Sequence, residues 1–169
     1  QYEMVRWIFL RAMGIIYAIA FVSLGTQIIG LVGADGILPA KNLLELVGEK
    51  IGTERYWSFP TLCWLNVSDS FLRFLCWGGA GISVLLVLDF APALMLILAW
   101  FFYLSLITVC REFLWFQWDI LLLETGFLAI FFAPWKILPG LSKGAETPRA
   151  VLWLFRWLLF RLMFQSGCV

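Results

Sequence analysis

The stretch from Ala12 to Val32, AMGIIYAIAFVSLGTQIIGLV, contains no charged side chain. As a helix rising 1.5 Å per residue it reaches about 30 Å, the thickness of the hydrocarbon core of a bilayer. Four further apolar stretches follow, at about 70–88, 92–110, 117–133 and 150–169. A chain that repeats this pattern folds in lipid, where only helices and closed barrels satisfy every backbone polar group internally. The expected architecture is all-α: a polytopic membrane helix bundle, one domain over 1–169, with about five transmembrane helices. Composition agrees, since 63% of the residues are hydrophobic and only 14% charged.

The punctuation fits helices. Ser68 is placed to cap the second segment, and Pro92 suits the first turn of the third. Asp69 and Arg73 stand four apart, the spacing of a helical ion pair at the interface. Pro134 to Arg149, PWKILPGLSKGAETPR, is a Pro/Gly-broken loop. Between the first two segments, KNLLELVGEKIG puts Leu43, Leu44, Val47 and Ile51 on one side and Lys41, Glu45, Glu49 and Lys50 on others. This is a short amphipathic helix lying on the membrane or on the bundle. Gly79 and Ser83 form a small-xxx-small pair that lets membrane helices approach closely.

Composition also narrows function. The net charge is +1, which gives no electrostatic footing for nucleic acid. There is no histidine, so the commonest ligand for haem, zinc, copper and non-haem iron is missing. Cys63, Cys76, Cys110 and Cys168 form no CxxC pair, and Cys76 and Cys110 read as small buried hydrophobes. No serine elbow, Cys/His pair or dinucleotide fingerprint occurs. The expectation is a protein without catalytic, cofactor or metal residues, with bound lipid between its helices. The opening Gln1 and the abrupt end at Val169 are expected of a processed or partial chain.

The polar residues inside apolar segments carry the strongest signal. Phe113 to Trp135 holds Gln117, Asp119 and Glu124. At 100° per residue Gln117 and Glu124 share a face, whereas Asp119 lies about 140° from Glu124 on the stripe of Gly126. Asp119 is within a turn of the interface, where a wet cluster with Arg111 is expected. Glu124 lies roughly 10 Å deeper than Gln117. A lone carboxylate at that depth costs at least ~2.5 kcal/mol, so it must be paired, protonated or facing an aqueous cavity. The fifth segment offers Arg156, which can snorkel, and Arg161, which is too deep to do so easily. Antiparallel neighbours would put Glu124 and Arg161 within about a turn of the midplane, and separating them would cost roughly 3–5 kcal/mol. Positive charge does not orient the chain: Arg6, Arg11, Lys136, Lys143 and Arg149 on one side balance Lys41, Lys50, Arg55, Arg73 and Arg111 on the other.

Four blocks in order, GADGILPA, WLNVSDSFLRFLCWGGAGIS, FQWDILLLETGFLAIFFAPW and RWLLFRLMFQSG, resemble the lipase maturation factor family. The resemblance covers nearly the whole chain. It implies a multi-pass membrane protein with its N-terminus inside, and is distantly similar to the membrane domain of vitamin K-dependent carboxylase. Eukaryotic family members reside in the endoplasmic reticulum and help secreted lipases fold and assemble; bacterial relatives would sit in the inner membrane. Family members continue beyond the point matching FQSGCV into a large non-cytoplasmic region implicated in client binding. Two roles follow: assisting the folding of exported client proteins, or stabilising a larger complex as an accessory subunit among other membrane proteins.

Overall fold

The computed structural model describes residues 3–114, 116–138 and 149–167. Among these the chain is an all-α bundle, as its apolar runs require. Its helices are α1 (Glu3–Val32), α2 (Ala40–Ile51), α3 (Arg55–Ser58), α4 (Asp69–Val87), α5 (Pro92–Val109), α6 (Arg111–Leu114), α7 (Gln117–Phe132) and α8 (Arg149–Gly167), with 3-10 turns at Gly52–Glu54 and Leu62–Trp64. Three of them, α1, α4 and α5, are long and apolar enough to cross a membrane by length and composition. α7 has 16 residues and reaches about 24 Å. α8 carries Arg149, Arg156 and Arg161.

The five long rods run alternately up and down. Phe21 of α1 meets Gly79 of α4, and further back Gly14 meets Val87. Trp100 donates to the Leu123 carbonyl at 2.9 Å, while Tyr103 donates to Asp119, so α5 and α7 are antiparallel. Phe155 packs on Phe132, and Arg161, six residues further along α8, pairs with Glu124, eight residues back along α7, so α7 and α8 are antiparallel as well. Helix association in lipid has no hydrophobic driving force and relies on close packing and hydrogen bonds. The interior shows this. A Cβ on Gly79 would lie 2.4 Å from the Phe21 ring, so only glycine lets α1 and α4 approach this closely. Ser83 turns its hydroxyl onto the Gly79 carbonyl at 2.7 Å within the same helix.

One end of the bundle gathers the start of α1, the α4–α5 turn and the residues after α7. Asp89 and Ala91 adopt left-handed conformations, with φ of 66° and 40°, which reverse the chain in very few residues. The Ala91 N–H donates to the Ile137 carbonyl at 2.7 Å. α1 begins about two and a half turns before its uncharged stretch, and Arg11 lies 3.8 Å from Asp89. The opposite end is capped by α2 and the segment after it. α2 buries Ala40 and Leu44 and turns the Lys41–Glu45 pair, at 3.9 Å, outwards. The irregular backbone beyond α3 finds partners inside the bundle. Leu62 N–H donates to Ser105 Oγ at 3.0 Å, and Thr61 Oγ1 to the Ser105 carbonyl at 3.0 Å. Non-helical backbone survives near a membrane only when protein satisfies it in this way. Cys63 is fully buried there, and burial pushes its thiol up, opposed by the Thr61 hydroxyl.

Candidate functional site

α7 is apolar except at Gln117, Asp119, Glu124 and Thr125, and its helical period sends the first three to different neighbours. Gln117 and Glu124 face α8. There the Glu124 carboxylate accepts from the Arg161 guanidinium. The guanidinium stays charged and its forked donors suit a carboxylate. The two are not sealed in: their side chains remain 35% and 40% exposed. They line a groove of about 490 Å³ to which Gln117 and Gln165 also contribute. Arg156 stays outside this group. It is exposed and lies 5.5 Å from the centre of the Trp153 ring, a cation–π contact on the outer face of α8.

Asp119 corrects the sequence reading. It forms no wet cluster with Arg111. It is 5% exposed, and its Oδ1 accepts from the Tyr103 hydroxyl at 2.7 Å. The reason is rotational. The angle that sends Glu124 towards α8 turns Asp119 inwards, against α5 and α1. Arg111 lies exposed on α6. Among the described residues Asp119 Oδ2 is buried with no hydrogen-bond partner.

Asp69 and Arg73 differ from expectation too. Asp69 Oδ1 accepts the Ala34 N–H at 2.9 Å, tying the start of α4 to the loop after α1, and Arg73 points to the exterior. A backbone donor fixed beside the first turn competes successfully with a long side chain that must be immobilised. Ser68 caps α4, its hydroxyl accepting from Phe71 N–H at 3.3 Å. Of the loop 134–149, residues 139–148 lie outside the described residues, as does Cys168.

Sequence reasoning passed over three partners. Tyr103 was hidden as one aromatic among many in α5. Tyr17 is fully buried and donates to the Leu122 carbonyl at 3.3 Å, sitting over Gly126. Arg11 reaches Asp89 in the α4–α5 turn. The one available signal was the presence of polar atoms in apolar helices, each of which requires a partner.

The comparisons with known proteins agree on one family. The model of the lipase maturation factor transmembrane domain matches residues 4–169. Lipase maturation factor 2 of Xenopus laevis is 42% identical over 181 residues, covering 100% of this chain and 25% of the relative. Lipase maturation factor 2 of Homo sapiens is 41% identical over 180 residues, covering 97% and 25%. Lipase maturation factor 1 of Mus musculus is 38% identical over 175 residues, covering 97% and 30%. The chain therefore spans about a quarter to a third of the length of the curated relatives it matches. No solved structure matches. An all-α bundle with three helices long and apolar enough to cross a bilayer, matched end to end by a transmembrane domain, is an integral membrane protein. The chain belongs to the lipase maturation factor family.

Proposed function

We propose that this bundle is the membrane domain of a factor that assists the folding or assembly of exported lipases at the endoplasmic reticulum. The relatives carry that role in their names, and those named above are from vertebrates. The observation that carries the reading is the Glu124–Arg161 pair. A charge pair half open on the side of an otherwise apolar bundle is poorly matched to hydrocarbon. It is well matched to a protein surface that supplies further polar groups to Gln117, Gln165 and the ion pair. A domain of this kind holds other protein elements in place and need not catalyse anything. The same surface also fits an accessory subunit packed inside a larger membrane complex.

The test uses the full-length protein in cells lacking their own lipase maturation factors, with secreted lipase activity as the readout. Restored secretion supports the maturation role. Restoration should fall in Glu124→Gln and Arg161→Met variants expressed at equal levels. No restoration by well-expressed protein overturns it, and co-purification with a fixed set of membrane subunits would then favour the accessory role.

A further inference from the structure

A second groove, of about 530 Å³, lies on the other side of α7, between α1, α5 and the start of α7. Its position in the bundle is shallow. Asp119 is in the first turn of α7, and Ser23 and Gln27 are in the last three turns of α1. Most of the lining is apolar, with Ile16 and Ile19 exposed at its outer edge. Asp119, Ser23 and Gln27 interrupt it, together with the Tyr103 hydroxyl and the Trp118 indole N–H.

Their hydrogen-bonding state is uneven. Asp119 Oδ1 is used by Tyr103, but Oδ2 is buried and unpartnered on a residue only 5% exposed. Gln27 uses its Nε2 on the Ser23 carbonyl at 3.3 Å, which leaves its amide oxygen free to accept. Ser23 adds a hydroxyl that can donate or accept. The groove thus presents two open acceptors, a hydroxyl and the indole donor of Trp118. A buried acceptor without a donor is costly, so it is matched to a molecule that brings donors with it. Among the described residues no basic side chain lines the groove. A phosphodiester brings acceptors rather than donors and would leave Asp119 Oδ2 and the Gln27 amide oxygen unmet, which disfavours phospholipid headgroups. A sterol brings a single hydroxyl and would leave one acceptor unmet.

We propose that this groove binds a monoacylglycerol-type lipid. The two free hydroxyls of the glycerol would serve Asp119 Oδ2 and the Gln27 amide oxygen, and the acyl chain would lie along Ile16 and Ile19. The headgroup would sit about a turn below the interface, the level at which glycerol already resides in a bilayer. This inference does not depend on the nature of the client protein.

The experiment is photocrosslinking of the full-length protein in nanodiscs with a monoacylglycerol carrying a diazirine in its chain, mapped by mass spectrometry. Label is expected on α1 near Ile16 and Ile19. Unlabelled monoolein should compete, and phosphatidylcholine and cholesterol should not. Asp119→Asn replaces one of the acceptors by a donor and should weaken labelling roughly tenfold, the effect of losing one strong hydrogen bond. Gln27→Leu, at an exposed position that tolerates an apolar side chain, should weaken it about threefold. Trp153→Ala, on the far side of α8, should leave it unchanged. If Asp119→Asn fails to fold, the Gln27 variant decides. Label that maps elsewhere, equal competition by phosphatidylcholine or cholesterol, or full labelling of both groove variants overturns the proposal.

Discussion

Tyr17 closes over Gly126 so tightly that a Cβ built on the glycine would lie 2.0 Å from the phenol oxygen. The ring has no room to retreat. Tyr17 is fully buried, with Phe21 stacked at 6.1 Å and Tyr103 edge-on at 5.7 Å. This contact sets the distance between α1 and α7, and with it the width of the groove that contains Asp119.

Gly126→Ala should therefore destabilise the protein by about 1–3 kcal/mol, the usual cost of overpacking a tight core. Tyr17→Phe alone should cost less, about 0.5–1 kcal/mol, because it gives up one long hydrogen bond to the Leu122 carbonyl. Together the two changes should recover part of the loss, since the offending oxygen is gone. Recovery should stay incomplete, because the ring carbon Cζ would still lie 3.0 Å from the new methyl group. Thermal unfolding in mild detergent measures all three. A Gly126→Ala protein as stable as the parent would show that α1 and α7 are not in this contact.

How far the sequence revealed this depends on the residue. The helical stretches were legible because uninterrupted apolar runs leave the backbone no other solution in lipid. Ser68 and Pro92 were legible because their chemistry is local. Glu124 and Arg161 could be matched by depth, since few charged groups are available at that level. Asp119 could not. α1, α5 and α7 are apolar on every side, so periodicity does not say which face meets which neighbour. That Asp119 finds Tyr103, and that Tyr17 finds Gly126, follows from helix rotation, which the sequence pattern leaves open. Asp69 was misjudged for a related reason: the Ala34 N–H lies 35 residues away in sequence, while Arg73 was adjacent on the same helix.

The open setting of Glu124 and Arg161 lowers the cost expected of separating them. A sealed buried pair would lose several kcal/mol when one partner is removed. With side chains 35% and 40% exposed, the coupling between them should be about 1 kcal/mol, typical of polar pairs between membrane helices. A cycle of Glu124→Gln, Arg161→Met and the double variant, followed by unfolding in detergent, gives this number directly. Strict additivity would mean that the pair contributes nothing. A coupling of several kcal/mol would mean that another element of the full-length protein seals the groove.

The alternating rods also predict the membrane topology, including the two helices whose span is least obvious. Lys50 lies on α2 at the end of the bundle where α1 finishes, and Lys136 lies just after α7 at the end where α1 starts. Both are exposed. α7 falls short of a 30 Å core by about 6 Å. Trp118 and Trp135 stand near its two ends with 69% and 74% of their surface exposed. Aromatic rings at the headgroup level are the usual way to seat a helix at both interfaces. Single cysteines at Lys50 and Lys136 in the full-length protein should react with an impermeant maleimide from opposite sides of the membrane. A third at Gly167, at the exposed end of α8, decides whether that helix crosses. Labelling of Gly167→Cys together with Lys50→Cys means five crossings. Labelling together with Lys136→Cys means that α8 returns to the side it left, and that Arg161 reaches Glu124 without traversing the bilayer.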